Sequence, residues 1–184
     1  MILYFLRHAS AGKRAANPAK DERRPLDEEG ILQARYIGRM LATLDVQVDQ
    51  IVSSPLKRAL QTASLVANEL AYESPVQTDE ALLPESSFDQ FRSMLVRLRK
   101  YETIIVVGHN PSFSEFLSKT ISGASGPAHI DFKKGAVAKV EVDGRNGSLH
   151  WLVTPKIARI LLAPEADRRS GAVSAPSAKR KRSA

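Results

Sequence analysis

Two short apolar runs, a hundred residues apart, each stop at a histidine, and this limits the folds open to the chain. Ile2-Leu3-Tyr4-Phe5-Leu6 leads into Arg7-His8, and Thr103-Ile104-Ile105-Val106-Val107-Gly108 leads into His109. Unbroken apolar runs of this length read as strands buried on both faces, as in the middle of a parallel sheet. A histidine at the C-terminal tip of such a strand lies on the sheet edge where open α/β proteins bind ligands. Two strands ending alike predict one site built from both.

The remaining sequence alternates in a way that supports such a sheet. A polar loop over Ala9–Pro25 precedes a helix capped by Asp27 and running to about Leu44, with Ile31, Ala34, Ile37, Leu41 and Leu44 on one face. Gln50–Ser53 predicts a short strand. Ser54-Pro55 predicts an N-cap and a first-position proline for a helix packed through Leu56, Ala59, Leu60, Ala63, Val66, Ala67 and Leu70. A weaker strand is expected around Val76, and Phe88, Phe91, Leu95 and Leu98 mark a helix. Asn110-Pro111 repeats the cap-plus-proline device before a helix lined by Phe113, Phe116 and Leu117. Ala136–Val142 and Leu149–Val153 flank a Gly/Asn-rich turn and predict a hairpin. The expected fold is a three-layer α/β/α sandwich with a mostly parallel central sheet and an antiparallel edge hairpin. Parallel crossovers put the strand tips on one side, so Arg7-His8, the Ser53–Arg58 turn and His109 should meet there.

Composition narrows the chemistry. The absence of cysteine removes disulfides, thiolate metal ligands and a cysteine nucleophile. No apolar stretch approaches the ~20 residues of a membrane span, and the N-terminal run is too short for a secretory signal, so a cytoplasmic protein is expected. The formal charge is +7, of which residues 164–184, with six basic and two acidic residues, carry +4. This predicts a folded domain over 1–163 and a disordered basic tail over 164–184. The tail suits a solvated extension, or a weak contact with nucleic acid or an anionic surface.

The strand tips offer two histidines and two arginines, with no carboxylate inside the motifs. Guanidinium groups would repel a cation, and metal sites usually add carboxylate or thiolate ligands, so no metal is expected. Ser53 and Ser54 lack the Gly-x-Ser-x-Gly elbow of a serine hydrolase, and no Walker A sequence is present. Arginines hold phosphoryl oxygens in bidentate fashion, and a histidine can accept a phosphoryl group as nucleophile. Phosphoryl transfer mainly needs positioning and charge stabilisation, which this set supplies.

At these residues the chain resembles a known family. Leu6-Arg7-His8-Ala9 is similar to the Arg-His-Gly signature of the histidine phosphatase superfamily, which has the phosphoglycerate mutase-like fold. Ser53-Ser54-Pro55-Leu56-Lys57-Arg58-Ala59-Leu60-Gln61-Thr62-Ala63 resembles its second motif, and Val107-Gly108-His109-Asn110-Pro111 its third. The short chain and Arg24-Pro25-Leu26-Asp27-Glu28-Glu29-Gly30 make it most similar to SixA-type phosphohistidine phosphatases, over about residues 1–155. The resemblance implies that His8 is the nucleophile, that Arg7 and Arg58 hold phosphoryl oxygens, and that His109 donates a further hydrogen bond. Glu85, in Leu83-Pro84-Glu85, is the candidate general acid; a solvated loop glutamate is the alternative. Arg24 and Asn110 are candidate substrate-binding residues, with a surface salt bridge the alternative for Arg24. His8 must be neutral at its attacking nitrogen, which nearby arginines favour, and a backbone carbonyl should fix its tautomer. Ala9 stands where the superfamily has glycine, which matters only if that position needs a positive φ. His129 and His150 fall outside every motif and read as ordinary histidines.

The implied activity is a metal-independent phosphohydrolase with no cofactor. Its substrate would be phosphohistidine on a protein or, alternatively, a small phosphate ester. A non-catalytic module recruiting partners through its basic tail is a third possibility.

Overall fold

The computed structural model describes residues 1–122, 126, 128–144 and 146–163. The tail expected over 164–184 lies outside the described residues. Six strands form one sheet in the order β3-β2-β4-β1-β5-β6. These are β1 (Ile2–Arg7), β2 (Gln50–Ser53), β3 (Gln77–Thr78), β4 (Thr103–Gly108), β5 (Val137–Asp143) and β6 (Asn146–Val153). The first four pair in parallel; β5 runs antiparallel to β1 and carries β6 to the edge.

The continuous apolar runs are explained by cores on both faces. Leu3, Phe5, Ile104 and Val106 pack on one side against Phe91 and Met94 of α4 (Phe88–Arg97) and Phe113 and Phe116 of α5 (Ser112–Ser122). Tyr4, Leu6, Ile105 and Val107 point the other way. They meet Ile37 and Leu41 of α2 (Glu28–Thr43), Ala63 and Val66 of α3 (Lys57–Glu69) and Ala158 of α6 (Pro155–Leu162). Alternate residues of one strand thus fill opposite layers, the geometry expected of a pleated strand between two helical layers.

Several local expectations change. Two helices escape the sequence pattern: a single turn, α1 (Pro18–Glu22), within the Ala9–Pro25 loop, and α6 at the end of the sheet. Both open on a side-chain cap followed by proline, Asn17-Pro18 and Thr154-Pro155. Ile31 and Leu44 do not belong to the buried face of α2; they are 36% and 55% exposed, Leu44 because it caps the C-terminus. Ser54 does not cap α3, which starts at Lys57 after Leu56 with no side-chain cap. Ser54 is still at the sheet, its N–H donating to the Val107 carbonyl, so the chain needs two more residues to clear the strand before coiling. Asn110 likewise does not cap α5, which starts two residues later at Ser112; its side-chain amide donates to the Phe132 carbonyl.

Candidate active site

The register between β1 and β4 places Arg7 beside Gly108, so both strands end level. The His8 N–H then donates to the Gly108 carbonyl at 2.9 Å, and the Ser54 N–H to the Val107 carbonyl at 2.8 Å. His8, Ser54 and His109 therefore leave three adjacent strands at one height. The imidazole centroids of His8 and His109 are 4.9 Å apart, with their planes tilted by 51°. Gly108 lets Phe113 of α5 pack against the tip of β4, since a Cβ there would lie 2.1 Å from the Phe113 ring.

His8 has one nitrogen committed and one available. Its Nδ1 lies 2.7 Å from the carbonyl of Ala9. A carbonyl only accepts, so Nδ1 carries the proton and Nε2 keeps its lone pair. Burial, and then the charges of Arg58, Arg7 and Arg24, push the His8 pKa down to about 3, against the opposite pull of the Ala9 carbonyl. The ring is therefore neutral at physiological pH. Ala9 takes no positive φ, so alanine in place of glycine costs nothing in backbone strain here. Its N–H donates to Thr62 Oγ1 at 3.1 Å, tying the loop after β1 to α3.

His109 is only 1% exposed, and its Nε2 lies 2.9 Å from Ser54 Oγ. Ser54 Oγ also accepts the Leu56 N–H at 3.4 Å. His109 Nδ1 is a buried atom with no hydrogen bond to protein, and it carries the ring proton when the Ser54 hydroxyl donates to Nε2. Burial, then coupling to the His8 ring and the charges of Arg58, Arg7 and Arg24, hold the pKa of His109 far below that of an ordinary histidine. The ring is neutral at physiological pH.

The guanidinium groups are held from behind. Arg7 Nη1 donates to the Phe132 carbonyl at 2.7 Å, and Asn110 Nδ2 to the same oxygen at 3.1 Å. Arg58, in the first turn of α3 and 5% exposed, donates through Nη1 to the Asp21 carbonyl at 2.9 Å and lies 3.4 Å from Asp21 Oδ2. Arg24 meets the other oxygen of that carboxylate, Nε to Oδ1 at 2.9 Å, and donates through Nη1 to the Ala11 carbonyl at 2.6 Å. Burial opposes ionisation of Asp21. The Arg24 hydrogen bond, the Ala15 N–H and the charges of Arg24 and Arg58 nevertheless hold its carboxyl below the usual range. The Nε atoms of Arg7 and Arg58 and Oδ1 of Asn110 are buried without a protein partner.

A cavity of about 910 Å³ opens over these groups, lined by Arg7, His8, Arg58 and His109 and, farther out, by Arg24, Glu85 and Asn110. All seven residues singled out from the sequence thus border one space. Glu85 is an exposed side chain on its wall. Arg24 makes the salt bridge foreseen as its alternative, yet faces the same cavity. Asp21 and the Phe132 carbonyl are parts of the site that the motifs do not reveal, and the bond of the Ser54 hydroxyl to His109 is not expected from them; the Asn17-Pro18 cap is the one available sign of the turn that carries Asp21. His129 and His150 are exposed and lie outside the cavity lining, His150 beside Glu141 at 3.1 Å. Among the described residues no group of three or more His, Cys, Asp or Glu could hold a metal ion, and no helix is long and apolar enough to cross a membrane.

Comparison with known proteins agrees with this geometry. The sequence profile of the histidine phosphatase superfamily (branch 1) matches residues 3–97. An uncharacterised protein of Picosynechococcus is 32% identical over 165 residues, which span 85% of this chain and 98% of that protein. Phosphohistidine phosphatase SixA of Escherichia coli is 26% identical over 158 residues, 84% of this chain and 94% of the relative. Among solved structures, the protein histidine phosphatase SixA complexed with tungstate superposes with a TM-score of 0.77 at 25% identity, covering 85% of this chain and 98% of the other.

Proposed function

The chain belongs to the histidine phosphatase superfamily, and from that premise we propose that it removes phosphoryl groups from phosphohistidine on a protein, through a phosphoryl group carried transiently by His8 and without a metal ion. The observation that carries this reading is a neutral His8, its Nδ1 tied to the Ala9 carbonyl, in one cavity with Arg7, Arg58 and His109. The similarity to phosphohistidine phosphatase SixA supports the substrate class. The solved relative holds tungstate, a tetrahedral oxyanion shaped like phosphate.

The steps follow from the groups present. The His8 Nε2 lone pair attacks phosphorus in line with the departing imidazole nitrogen of the substrate. The P–N bond of the substrate breaks, and its imidazole leaves with the electron pair and takes a proton from water. Arg7, Arg58 and the His109 Nδ1–H meet the three equatorial oxygens, whose charge is what the transition state must stabilise. Water then attacks the phosphoryl group, the bond to Nε2 breaks, and inorganic phosphate leaves with His8 restored as a neutral ring.

His8→Ala tests this reading, and should lower hydrolysis of phosphoramidate and of a phosphohistidine peptide by about a thousandfold or more. Turnover unchanged in that variant would sink it. A second reading, a small-molecule phosphomonoesterase, is favoured by Glu85 on the cavity wall, where an alkoxide leaving group could take a proton. On that reading Glu85→Gln cuts ester hydrolysis far more than hydrolysis of a substrate with a good leaving group. Equal losses on both would remove Glu85 from the role.

A further inference from the structure

The positive charge of the body is gathered at one place. Seven cationic and three acidic side chains line the cavity, an excess of +4, whereas residues 1–163 as a whole carry +3. The rest of the body is therefore close to neutral. Of the acidic side chains at the cavity, Asp21 is already engaged by Arg24 and Arg58. Arg14, Lys57 and Lys134 are exposed and enter none of the ion pairs among the described residues. They come to the cavity from three separate segments: Arg14 from the loop after β1, Lys57 from the first position of α3, and Lys134 from the segment before β5. The phosphoryl group itself is met deeper, by Arg7, Arg58 and His109. A space of about 910 Å³ is also far larger than one phosphoryl group needs, and falls within the range that takes a drug-sized ligand or a segment of a partner.

We propose that Arg14, Lys57 and Lys134 form a docking rim that selects phosphoryl acceptors flanked by Asp and Glu on the substrate protein. This rests on the phosphoprotein reading given above. Exposed charges of one sign around a concave site speed encounter with an oppositely charged partner, and salt screens the effect. The rim acts on substrate choice and leaves the chemistry to the deeper groups.

The test uses two peptides phosphorylated on one histidine, alike except that Glu residues flank the phosphohistidine in one and Gln residues in the other. The full-length chain should turn over the Glu-flanked peptide with a kcat/KM about tenfold higher at low salt, converging on the Gln-flanked one at high salt. Arg14→Glu, Lys57→Glu and Lys134→Glu combined should abolish or invert the preference, with phosphoramidate hydrolysis held within about twofold as the check on folding and chemistry. Equal turnover of both peptides by the unmodified chain overturns the rim and leaves the phosphohistidine reading standing. So does a preference that survives the triple reversal. Hydrolysis of neither peptide, with phosphoramidate still cleaved, overturns the substrate reading and the rim with it.

Discussion

The buried nucleophile makes stability depend on pH in a window that can be worked out beforehand. His8 titrates at about 3 in the folded chain, against 6.5 for an unperturbed histidine. Between those values the unfolded chain binds a proton that the folded chain does not, so stability rises with pH. It is fully present above about pH 6.5 and is lost as pH falls toward 3. At pH 5 the unfolded imidazole is almost wholly protonated and the folded one is not, a factor of about 30 in the equilibrium, or about 2 kcal/mol for this one group. At 7% exposure, solvent screens little of this. His109, shifted in the same direction, adds to the acid sensitivity. Asp21 and Asp27, whose carboxyls are held below the usual range, act only at lower pH, below about 4. The assay is urea unfolding at pH 8 and pH 5 for the unmodified chain and for His8→Asn, whose side-chain amide can still donate to the Ala9 carbonyl. The variant should lose about 2 kcal/mol less on acidification. Parallel losses in the two proteins would show that His8 is not held neutral by burial and by its arginine neighbours.

Other perturbations test the scaffold and the supports behind the arginines. Gly108→Ala sets a methyl group against the Phe113 ring and should destabilise the fold by about 1–3 kcal/mol in urea unfolding, with loss of activity as His109 shifts; an unchanged midpoint would refute the packing account of this strand tip. Asp21→Asn removes the carboxylate shared by Arg24 and Arg58 and should cost roughly 2 kcal/mol of stability. The same variant should weaken competitive inhibition by inorganic phosphate if Arg58 loses its aim, and an unaltered inhibition constant would deny Asp21 that positioning role.

Much of the fold is legible in the sequence because its central strands are buried on both faces. Ile2–Leu6 and Ile104–Val107 have no polar alternation to mislead, and Ala59, Ala63, Val66 and Ala67 mark the buried face of α3, while Leu56, Leu60 and Leu70 of the expected stripe stay half-buried. Short elements are not legible in the same way. The single turn of α1 buries no residue, so no apolar period announces it, and only Asn17-Pro18 marks its start. Ser54-Pro55 and Asn110-Pro111 read as caps because a hydroxyl or amide before proline is the usual helix signal; here the helices start later, at Lys57 and Ser112, and the two side chains meet His109 and the Phe132 carbonyl. The candidate site divides the same way. Arg7, His8 and His109 lie at the ends of β1 and β4 and can be found from strand endings; Arg58 sits in the first turn of α3 and is found from the motif that resembles the family's. The groups that aim them are a carboxylate one loop away, Asp21, and a main-chain carbonyl, Phe132, which has no sequence signature at all.

Trapping the phosphorylated intermediate tests the central claim most directly. Rapid acid-free quenching of the chain during phosphoramidate turnover, followed by mass spectrometry under conditions that preserve P–N bonds, should find one phosphoryl group on His8, and none in His8→Ala. A phosphoryl group on another residue, or full turnover by His8→Ala with no phosphorylated chain at any time, would contradict the account.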